Sequence, residues 1–154
     1  MIFHSSVIFV TDIEKSKDFY IRVIGQTVEH DFGNNLIFKG GLSIWQIGAE
    51  HIVNQHLKTK GESNRFELYF ETKRIEEIAE LLKSEGVRFL HNIKEEPWGQ
   101  RTIRFFDPDN HLIEVGEPLE EFVNNMYQNG LTIDQIAKKS GIPVETVMAL
   151  VGLD

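Results

Sequence analysis

The sequence predicts an α+β fold in which a βαβββ unit occurs twice in tandem and is followed by a helical extension. Both halves show the same order of patterns: an alternating apolar run, an amphipathic helix that ends at a glycine, and three more alternating runs. Gly25 and Gly86 close the equivalent helices, so the repeat is about sixty residues long, a length typical of duplicated supersecondary units. After Pro118 the apolar spacing changes to the period of a helix.

The first repeat starts with the strand-like run "SSVIFV" and continues as a helix that opens at Asp12. Asp12 is a typical N-cap residue, and Gly25 is a typical helix end. The buried face of this helix is predicted to consist of Phe19, Tyr20, Val23 and Ile24. Three strand-like runs follow, "QTVEHDF", "NLIFKG" and "LSIWQI". Because side chains alternate along a strand, we expect Ile8 and Val10 to pack on the helix and Val7 to face away from it.

The second repeat comprises the run "RFELYFET", the helix "RIEEIAELLKSEG" and the runs "VRFLHNI", "RTIRFF" and "HLIEV". If Leu68 and Phe70 pack on the helix, Glu67 and Tyr69 turn to the opposite, open face of the sheet. The same alternation turns Glu114 to the open face, although it lies in an otherwise apolar strand. Glu67 and Glu114 are therefore predicted to share one open face.

Arg104 is predicted to lie on the same open face, since Ile103 and Phe105 suit the side of the sheet that packs on the helix. Its guanidinium could then pair with Glu67 or with Glu114. Such a pair would keep a buried carboxylate ionised without any metal ion.

The opening "VTDIEKSKDFYIRVIG", the ending "FFDPDNHLIEV" and the order of the elements resemble the glyoxalase/bleomycin-resistance/extradiol-dioxygenase superfamily, also called the vicinal oxygen chelate fold. The resemblance covers residues 1–117 and implies one domain in which the two modules form a cup-shaped, curled mixed sheet. Residues 118–154 would then be a helical appendage. The resemblance implies that the site lies inside the cup, but one fold can host unrelated reactions.

Enzymes of this superfamily hold one divalent metal ion with ligands from the first and last strand of each half. Carried over to this sequence, those positions fall on Ser5, Glu67, Glu114 and either Trp45 or Gln46. The resemblance therefore implies a metal site made of Glu67, Glu114 and Gln46. Ser5 departs from the family pattern, because a neutral hydroxyl is a poor ligand for Zn, Ni or Fe. A site made only of oxygen ligands favours Mg or Mn over softer metals.

Two functions follow from these alternatives. The one we favour is binding of a small molecule without a metal, as in antibiotic-sequestering members of the superfamily, by Trp45, Tyr69, Trp98 and Arg104. The alternative is a metal-dependent lyase or isomerase of the glyoxalase type. There, Glu114 is the catalytic residue and Mn, Mg, Ni or Zn polarises an oxygen-chelating substrate. The cofactor is thus one divalent metal or none, and the sequence leaves open whether the protein is an enzyme.

Other polar residues receive structural interpretations. Gln100 and Arg101 follow Trp98 in the loop "EEPWGQR" and are within reach of a ligand. His91 is interpreted as a surface residue of a strand, and His111 as part of the turn "DPDNH". His4 would face the cup only if a bulge shifted the first strand by one residue.

Composition narrows the partners and the compartment. The 154 residues carry a net charge of −8 and have a pI near 5.2, which disfavours nonspecific attraction to nucleic acid. No apolar run reaches the length of a membrane span, and the N-terminus lacks the features of a signal peptide. The chain has no cysteine, which fits a reducing compartment. We therefore predict a cytoplasmic protein that binds neither nucleic acid nor membrane.

The extension is predicted to contain three helices, "LEEFVNNMYQNG", "TIDQIAKKSG" and "PVETVMALVG", the second opened by a capping box of Thr132 and Gln135. The last two resemble a helix-turn-helix, but the final helix holds no Lys or Arg, which disfavours DNA binding. The helices could pack on the domain, cover the cup, or join two subunits. The residues predicted for a subunit contact are Ile133, Ile136, Val147 and Met148. We expect a homodimer.

Overall fold

The computed structural model describes residues 5–49 and 67–153, and its elements follow the predicted order within these ranges. The first repeat contains β1 (Ser6–Phe9), α1 (Ile13–Asp18), β2 (Val28–Asp31), β3 (Asn35–Phe38) and β4 (Leu42–Trp45). The second repeat contains β5 (Leu68–Glu71), α2 (Ile75–Ser84), β6 (Phe89–Glu95), β7 (Arg101–Phe106) and β8 (Leu112–Gly116). The extension forms α3 (Leu119–Gln128), α4 (Ile133–Ser140) and α5 (Val144–Leu150). The α+β class and the two βαβββ modules are confirmed.

Each repeat forms its own four-stranded mixed sheet, and the two sheets have the same topology. The strand orders are β1-β4-β3-β2 and β5-β8-β7-β6. In both sheets the first strand pairs in parallel with the last, and the other neighbours are antiparallel. The shared topology confirms the duplication, whereas the cup-shaped arrangement of the two sheets stays a prediction.

The described residues divide into two compact units. The first unit contains residues 5–49 and the turn Asp107–His111, and the second contains residues 67–106 and 112–153. The boundary predicted between residues 117 and 118 falls inside the second unit, so the C-terminal helices belong with the second sheet. Within the described ranges, none of the helices has the length and apolar character that a membrane crossing requires.

The helix of the first unit begins as predicted but changes its winding. The side chain of Asp12 accepts a hydrogen bond from Lys15 N at 3.0 Å and caps α1. The turns at Phe19–Val23 are π-helical, with Ile24 N donating to Phe19 O at 3.0 Å. The sequence pattern did not predict this wider winding, whereas the predicted burial of Phe19 and Tyr20 is confirmed.

The turn Asp107–His111 is organised by one buried carboxylate. Asp107 accepts hydrogen bonds from Tyr20 Oη at 2.9 Å and from the backbone N–H groups of Asp109 and His111 at 2.9 and 2.8 Å. The imidazole Nδ1 of His111 lies 2.8 Å from the same carboxylate. The assignment of His111 to this turn is therefore confirmed.

The second sheet packs on α2 through alternate residues of its strands, among them the predicted Ile103 and Phe105, whereas Leu68 and Phe70 are half-buried. Ile103, Phe105, Ile113 and Val115 are buried, as are Ile75, Ala79 and Leu82 of the helix. The helix ends just before Gly86, whose φ of 65° lies in the left-handed region that favours glycine. The opposite face of the sheet is consequently left for polar residues.

The three C-terminal helices pack against one another around their own apolar core. The buried members of this helical core are Phe122, Val123, Met126, Ile136 and Val147. The predicted capping box of Thr132 and Gln135 is confirmed at the start of α4. Ile136 and Val147 were expected at a subunit contact, but both are fully buried within the chain. Met148 is 37% exposed and stays available for such a contact.

The contact between His111 and Asp107 predicts a pH-dependent contribution to stability. Burial alone would lower the pKa of His111, but its hydrogen bond to Asp107 and the charges of Asp107 and Asp109 raise that pKa above 6.5. Because the folded-state pKa is raised, the stabilisation is full below pH 6.5 and is lost as the pH rises through the folded-state value. We expect His111→Gln to lower the free energy of unfolding most at low pH. Urea unfolding at several pH values from about 5.5 to about 9, which brackets the usual pKa of histidine, measures this dependence.

Tyr20→Phe is the matched control for this measurement. It removes another hydrogen bond to the same carboxylate, for a cost of about 1–3 kcal/mol. Burial, together with Asp107, raises the pKa of Tyr20 beyond the range of the experiment, so this cost should not vary with pH. An effect of His111→Gln that is equally independent of pH would contradict the role given to the imidazole charge.

Candidate functional site

A row of four residues crosses the second sheet on its open face. Tyr69 of β5 is opposite Glu114 of β8, Glu114 is opposite Arg104 of β7, and Arg104 is opposite His91 of β6. Cross-strand partners place their side chains on the same side of a sheet. The strand register therefore brings a phenol, a carboxylate, a guanidinium and an imidazole into one line.

Arg104 stands at the centre of this row and contacts three carboxylates. Its Nε donates to Glu67 Oε2 at 3.0 Å, and its Nη1 donates to Glu96 Oε1 at 2.8 Å. Its Nη2 forms an ion pair with Glu114 Oε2, which has no other polar partner among the described residues. The predicted pairing of Arg104 with Glu67 or Glu114 is confirmed, because the guanidinium pairs with both. We call Arg104 and these three glutamates the carboxylate cluster.

Burial strengthens the interactions of the carboxylate cluster. The side chains of Glu96 and Glu114 are 7% and 6% exposed, that of Arg104 is 20% exposed, and Glu67 lies toward solvent. Thr102 Oγ1 donates a further hydrogen bond to Glu96 Oε1 at 3.0 Å. Three carboxylates around one guanidinium leave two formal negative charges. The exposed Lys94 ammonium, 3.7 Å from Glu96 Oε2, offsets them weakly because solvent screens it.

The pKa shifts follow from this arrangement. Burial alone would raise the pKa of Glu96, but hydrogen bonds from Arg104 and Thr102 and the charge of Lys94 hold it below its usual value. Burial likewise opposes the charge on Arg104, yet the hydrogen bonds to Glu67 and Glu96 raise the pKa of the guanidinium. Both groups are therefore ionised at neutral pH.

Two members of the site were missed by the sequence analysis. Glu96 lies after the end of β6, where strand alternation no longer indicates the direction of a side chain. His91, interpreted as a surface residue, is half-buried, and its Nε2 lies 3.3 Å from Arg104 Nη1. Its Nδ1 is 2.8 Å from Asn92 O. The register shifts in β6 hid this contact from a simple alternation.

A buried amide connects two exposed aromatic side chains beside the carboxylate cluster. Gln100 accepts a hydrogen bond from Trp98 Nε1 at 3.1 Å and donates to Tyr69 Oη at 2.9 Å and to Glu117 O at 2.7 Å. Tyr69 and Trp98 remain 47% and 38% exposed. A Cβ at Gly116 would lie 2.7 Å from Gln100 Nε2, so the glycine makes room for the amide. Gln100 is thus a buried residue that holds Tyr69 and Trp98 by hydrogen bonds, and it is not an exposed contact for a ligand.

Arg101 is engaged in a separate network and does not project toward the open face as a free cation. Its Nε donates to Glu117 Oε1 at 2.9 Å, and its two terminal nitrogens pair with Glu117 and Glu76. Asn125 of α3 reaches the same Glu117 carboxylate at 3.3 Å. This network ties β7 to α2 and α3, so the role of Arg101 is structural.

In the first unit, the strand register decides between Trp45 and Gln46. Trp45 is the partner of Phe9 on β1, and their rings lie 6.1 Å apart on the face away from α1. Gln46 instead accepts a hydrogen bond from Ile13 N at 2.8 Å, so its amide oxygen caps the helix. The face that the metal prediction requires of Gln46 is therefore taken by Trp45. His4 lies outside the described residues.

Within the second unit, the described residues are not arranged as a metal site. Among the described residues, no group of three or more His, Asp or Glu side chains is arranged to hold a metal ion. The donor chemistry explains this result, because Arg104 lies against both predicted carboxylate ligands and supplies the positive charge that a metal would supply. No chemical step is therefore assigned to a metal.

The chain belongs to the family of proteins with a glyoxalase-like domain, whose family model matches residues 3–120. The match spans both βαβββ modules and ends at the start of α3, which agrees with the predicted superfamily. No curated protein matches the sequence significantly.

Solved structures share this fold. A protein of unknown function from Agrobacterium tumefaciens str. C58 is 31% identical, with a TM-score of 0.64 over 77% of this chain and 95% of that chain. A glyoxalase/bleomycin resistance protein/dioxygenase from Nocardioides is 24% identical, with a TM-score of 0.57 over 74% and 81% of the two chains. A lactoylglutathione lyase from Agrobacterium tumefaciens is 19% identical, with a TM-score of 0.54 over 76% and 93%. The last two likenesses show the fold alone.

Removing Arg104 should destabilise the protein in a pH-dependent way. Arg104→Met leaves buried carboxylates without a cation, which costs about 3–5 kcal/mol at neutral pH. Since the folded-state pKa of Glu96 is lowered, its pairing stabilises the fold above its unfolded pKa and is lost as the pH falls through the folded value. Urea unfolding should therefore show that the difference in free energy of unfolding between the wild type and Arg104→Met becomes smaller as the pH falls to about 4, near the pKa of free carboxyl groups.

Arg74→Met is a suitable control, because Arg74 pairs with Glu77 on the exposed surface of α2. Its effect should be small at every pH. The double variant Arg104→Met/Glu114→Gln should recover part of the lost stability at neutral pH, since it removes one of the unpaired charges. A single variant as stable as the wild type would contradict the importance of the guanidinium.

Proposed function

We propose that the protein binds a small organic molecule on the open face of its second sheet and does so without a metal ion. The observation that carries this proposal is the position of Arg104 between Glu67, Glu96 and Glu114. An internal cation already neutralises part of the carboxylate charge, so the predicted metal ligands are engaged before any metal arrives. Of the four predicted ligand-binding residues, Tyr69, Trp98 and Arg104 lie in the second unit, and Trp45 lies in the first.

The chemistry of the open face favours a flat ligand with a positive charge. The carboxylate cluster retains two formal negative charges, and the whole chain has a net charge of −8. Tyr69 and Trp98 are exposed and have their polar edges bound by Gln100, which leaves their aromatic faces for contact. Aromatic faces attract organic cations, with about 0.5–1 kcal/mol for an exposed contact. An anionic ligand would meet repulsion from the same cluster.

The alternative function, a metal-dependent lyase or isomerase, keeps one supporting observation. Glu114 Oε2 has no hydrogen-bond donor among the described residues and is held only by its ion pair with Arg104. If Arg104 turned away, Glu67, Glu96 and Glu114 could offer oxygen ligands of the kind that Mg and Mn prefer. This alternative therefore requires that a metal displace the guanidinium.

Titration with metals distinguishes the two functions. Elemental analysis of protein purified without chelator or metal affinity resin should find almost no bound metal, well below one equivalent per chain. Calorimetric titration with Mn, Mg, Ni and Zn should give no binding heat for the wild type. Arg104→Met should gain binding if the guanidinium is what occupies the site. One equivalent of tightly bound metal in the wild type, lost in Glu114→Ala, would instead support the enzyme.

Three two-ring aromatic probes that differ in charge test the preference for a cation. They are cationic N-methylquinolinium, neutral quinoline and anionic 2-naphthoate. We expect calorimetry to detect binding of the cation alone. Tyr69→Ala should weaken it about two- to fivefold, the equivalent of ~0.5–1 kcal/mol for an exposed cation–π contact. Tyr127→Ala removes an exposed tyrosine from α3 and should have no effect. Equal binding of all three probes, or binding of the anion alone, would refute the preference for a cation.

The homodimer and the cytoplasmic location stay part of this proposal. The acidic, cysteine-free composition supports a reducing compartment. The exposed side chain of Met148 on α5 supports a contact between helices of two subunits. Sedimentation at several protein concentrations should show a dimer that Met148→Glu dissociates, and a monomer at all concentrations would remove the dimer from the proposal.

A further inference from the structure

The loop of residues 96–100, here called the aromatic loop, exposes the side chain of Trp98 and buries the side chains of Glu96 and Gln100. Glu96 and Gln100 are buried at its two ends, whereas Trp98 between them is exposed. Gly99 N donates to Glu96 O at 2.9 Å, and Glu96 N donates to Gln100 O at 2.8 Å. The loop is thus a closed turn whose ends belong to the carboxylate cluster and to the amide beneath Tyr69.

The tip of the aromatic loop rests on the first C-terminal helix. Gly99 has a φ of 99°, and a Cβ built on it would lie 2.5 Å from Sδ and 3.1 Å from Cε of Met126. The thioether of Met126 therefore packs directly on the backbone of Gly99. Met126 is 6% exposed and also belongs to the helical core of α3, α4 and α5. One side chain thus connects that core with the loop that bears Trp98.

A second contact joins the same helix to the base of the loop. Gln100 Nε2 donates to the carbonyl oxygen of Glu117, and Asn125 of α3 donates to the carboxylate of Glu117 at 3.3 Å. The helix therefore contacts the aromatic loop directly through Met126, whereas Glu117, which precedes the helix, links Asn125 to Gln100. The glyoxalase-like family model ends at residue 120, so almost all of this helix lies beyond the matched domain.

We propose that α3 positions the aromatic loop, with Met126 as the positioning residue that holds Trp98 against the ligand. This inference rests on the proposed binding function, since it assigns the appended helices a role in that site. The helical core keeps Met126 in place, Met126 supports Gly99, and the loop then presents Trp98 beside Tyr69 through the shared amide of Gln100. Loosening the helix contact should free Trp98 without removing any group that touches the ligand.

The test uses Trp45→Phe as the parent, because Trp98 is then the only tryptophan in the full chain. In this background, Met126→Ala removes the contact with Gly99. Met126→Leu keeps most of the volume, and Val147→Ala opens the same helical core at a residue of α5. We expect Met126→Ala alone to shift the emission of Trp98 to the red, to raise its acrylamide quenching constant and to weaken N-methylquinolinium binding.

The outcomes separate the two proposals. Unchanged Trp98 quenching in Met126→Ala, or the same change in Val147→Ala, would overturn the positioning role, since the latter would reflect general loosening of the helices. If N-methylquinolinium fails to bind the wild type, which retains Trp45, the proposed function loses its ligand class, and Trp98 quenching in the Trp45→Phe background still decides whether Met126 positions the loop. If Met126→Ala loses the far-ultraviolet circular dichroism of the parent, Met126→Val replaces it in the same comparison.

Discussion

Two carboxylates can be buried in the second sheet because the guanidinium of Arg104 lies between them. An isolated charge inside a protein would change its protonation state or destabilise the fold, so Glu96 and Glu114 depend on this cation. Its fork of donors reaches Glu67 as well, and the strand register adds Tyr69 and His91 to the same row. The polar character of the open face and the pairing of its three carboxylates both follow from that one side chain.

The second constraint is space. Gly116 lacks the Cβ that would collide with Gln100, and Gly99 lacks the one that would collide with Met126. These two close approaches let a single amide hold Tyr69 and Trp98 from below and let the C-terminal helix support the loop above it. The second sheet and the appended helical core thereby form one unit, in which the added helices take part in the arrangement of the candidate site.

Much of the fold could be predicted because period and topology are local properties that repeat. Alternation placed Glu67, Tyr69, Arg104 and Glu114 on one face. The row of Tyr69, Glu114 and Arg104 and the ion pair of Glu67 with Arg104 confirm that inference. The same reasoning failed where the chain leaves regular geometry. It gave no direction to Glu96 beyond the end of β6, misjudged His91 next to a register shift, and did not anticipate the π-helical turns at Phe19–Val23. One of the three alternatives for the C-terminal helices, a subunit contact, included Ile136 and Val147, although the helical core buries both.

The sequence by itself determined the two βαβββ modules, their family, and the faces of β5, β7 and β8, because hydrophobic period, glycine stops and a distinctive terminal motif are written in the order of residues. Only the tertiary structure decided that Arg104 binds three carboxylates at once, that Gln46 caps a helix while Trp45 takes the open face, and that Met126 supports the aromatic loop. These contacts join residues that lie on different strands, helices and loops. Which partner a side chain meets depends on register, loop geometry and close packing, and none of these has a local signal.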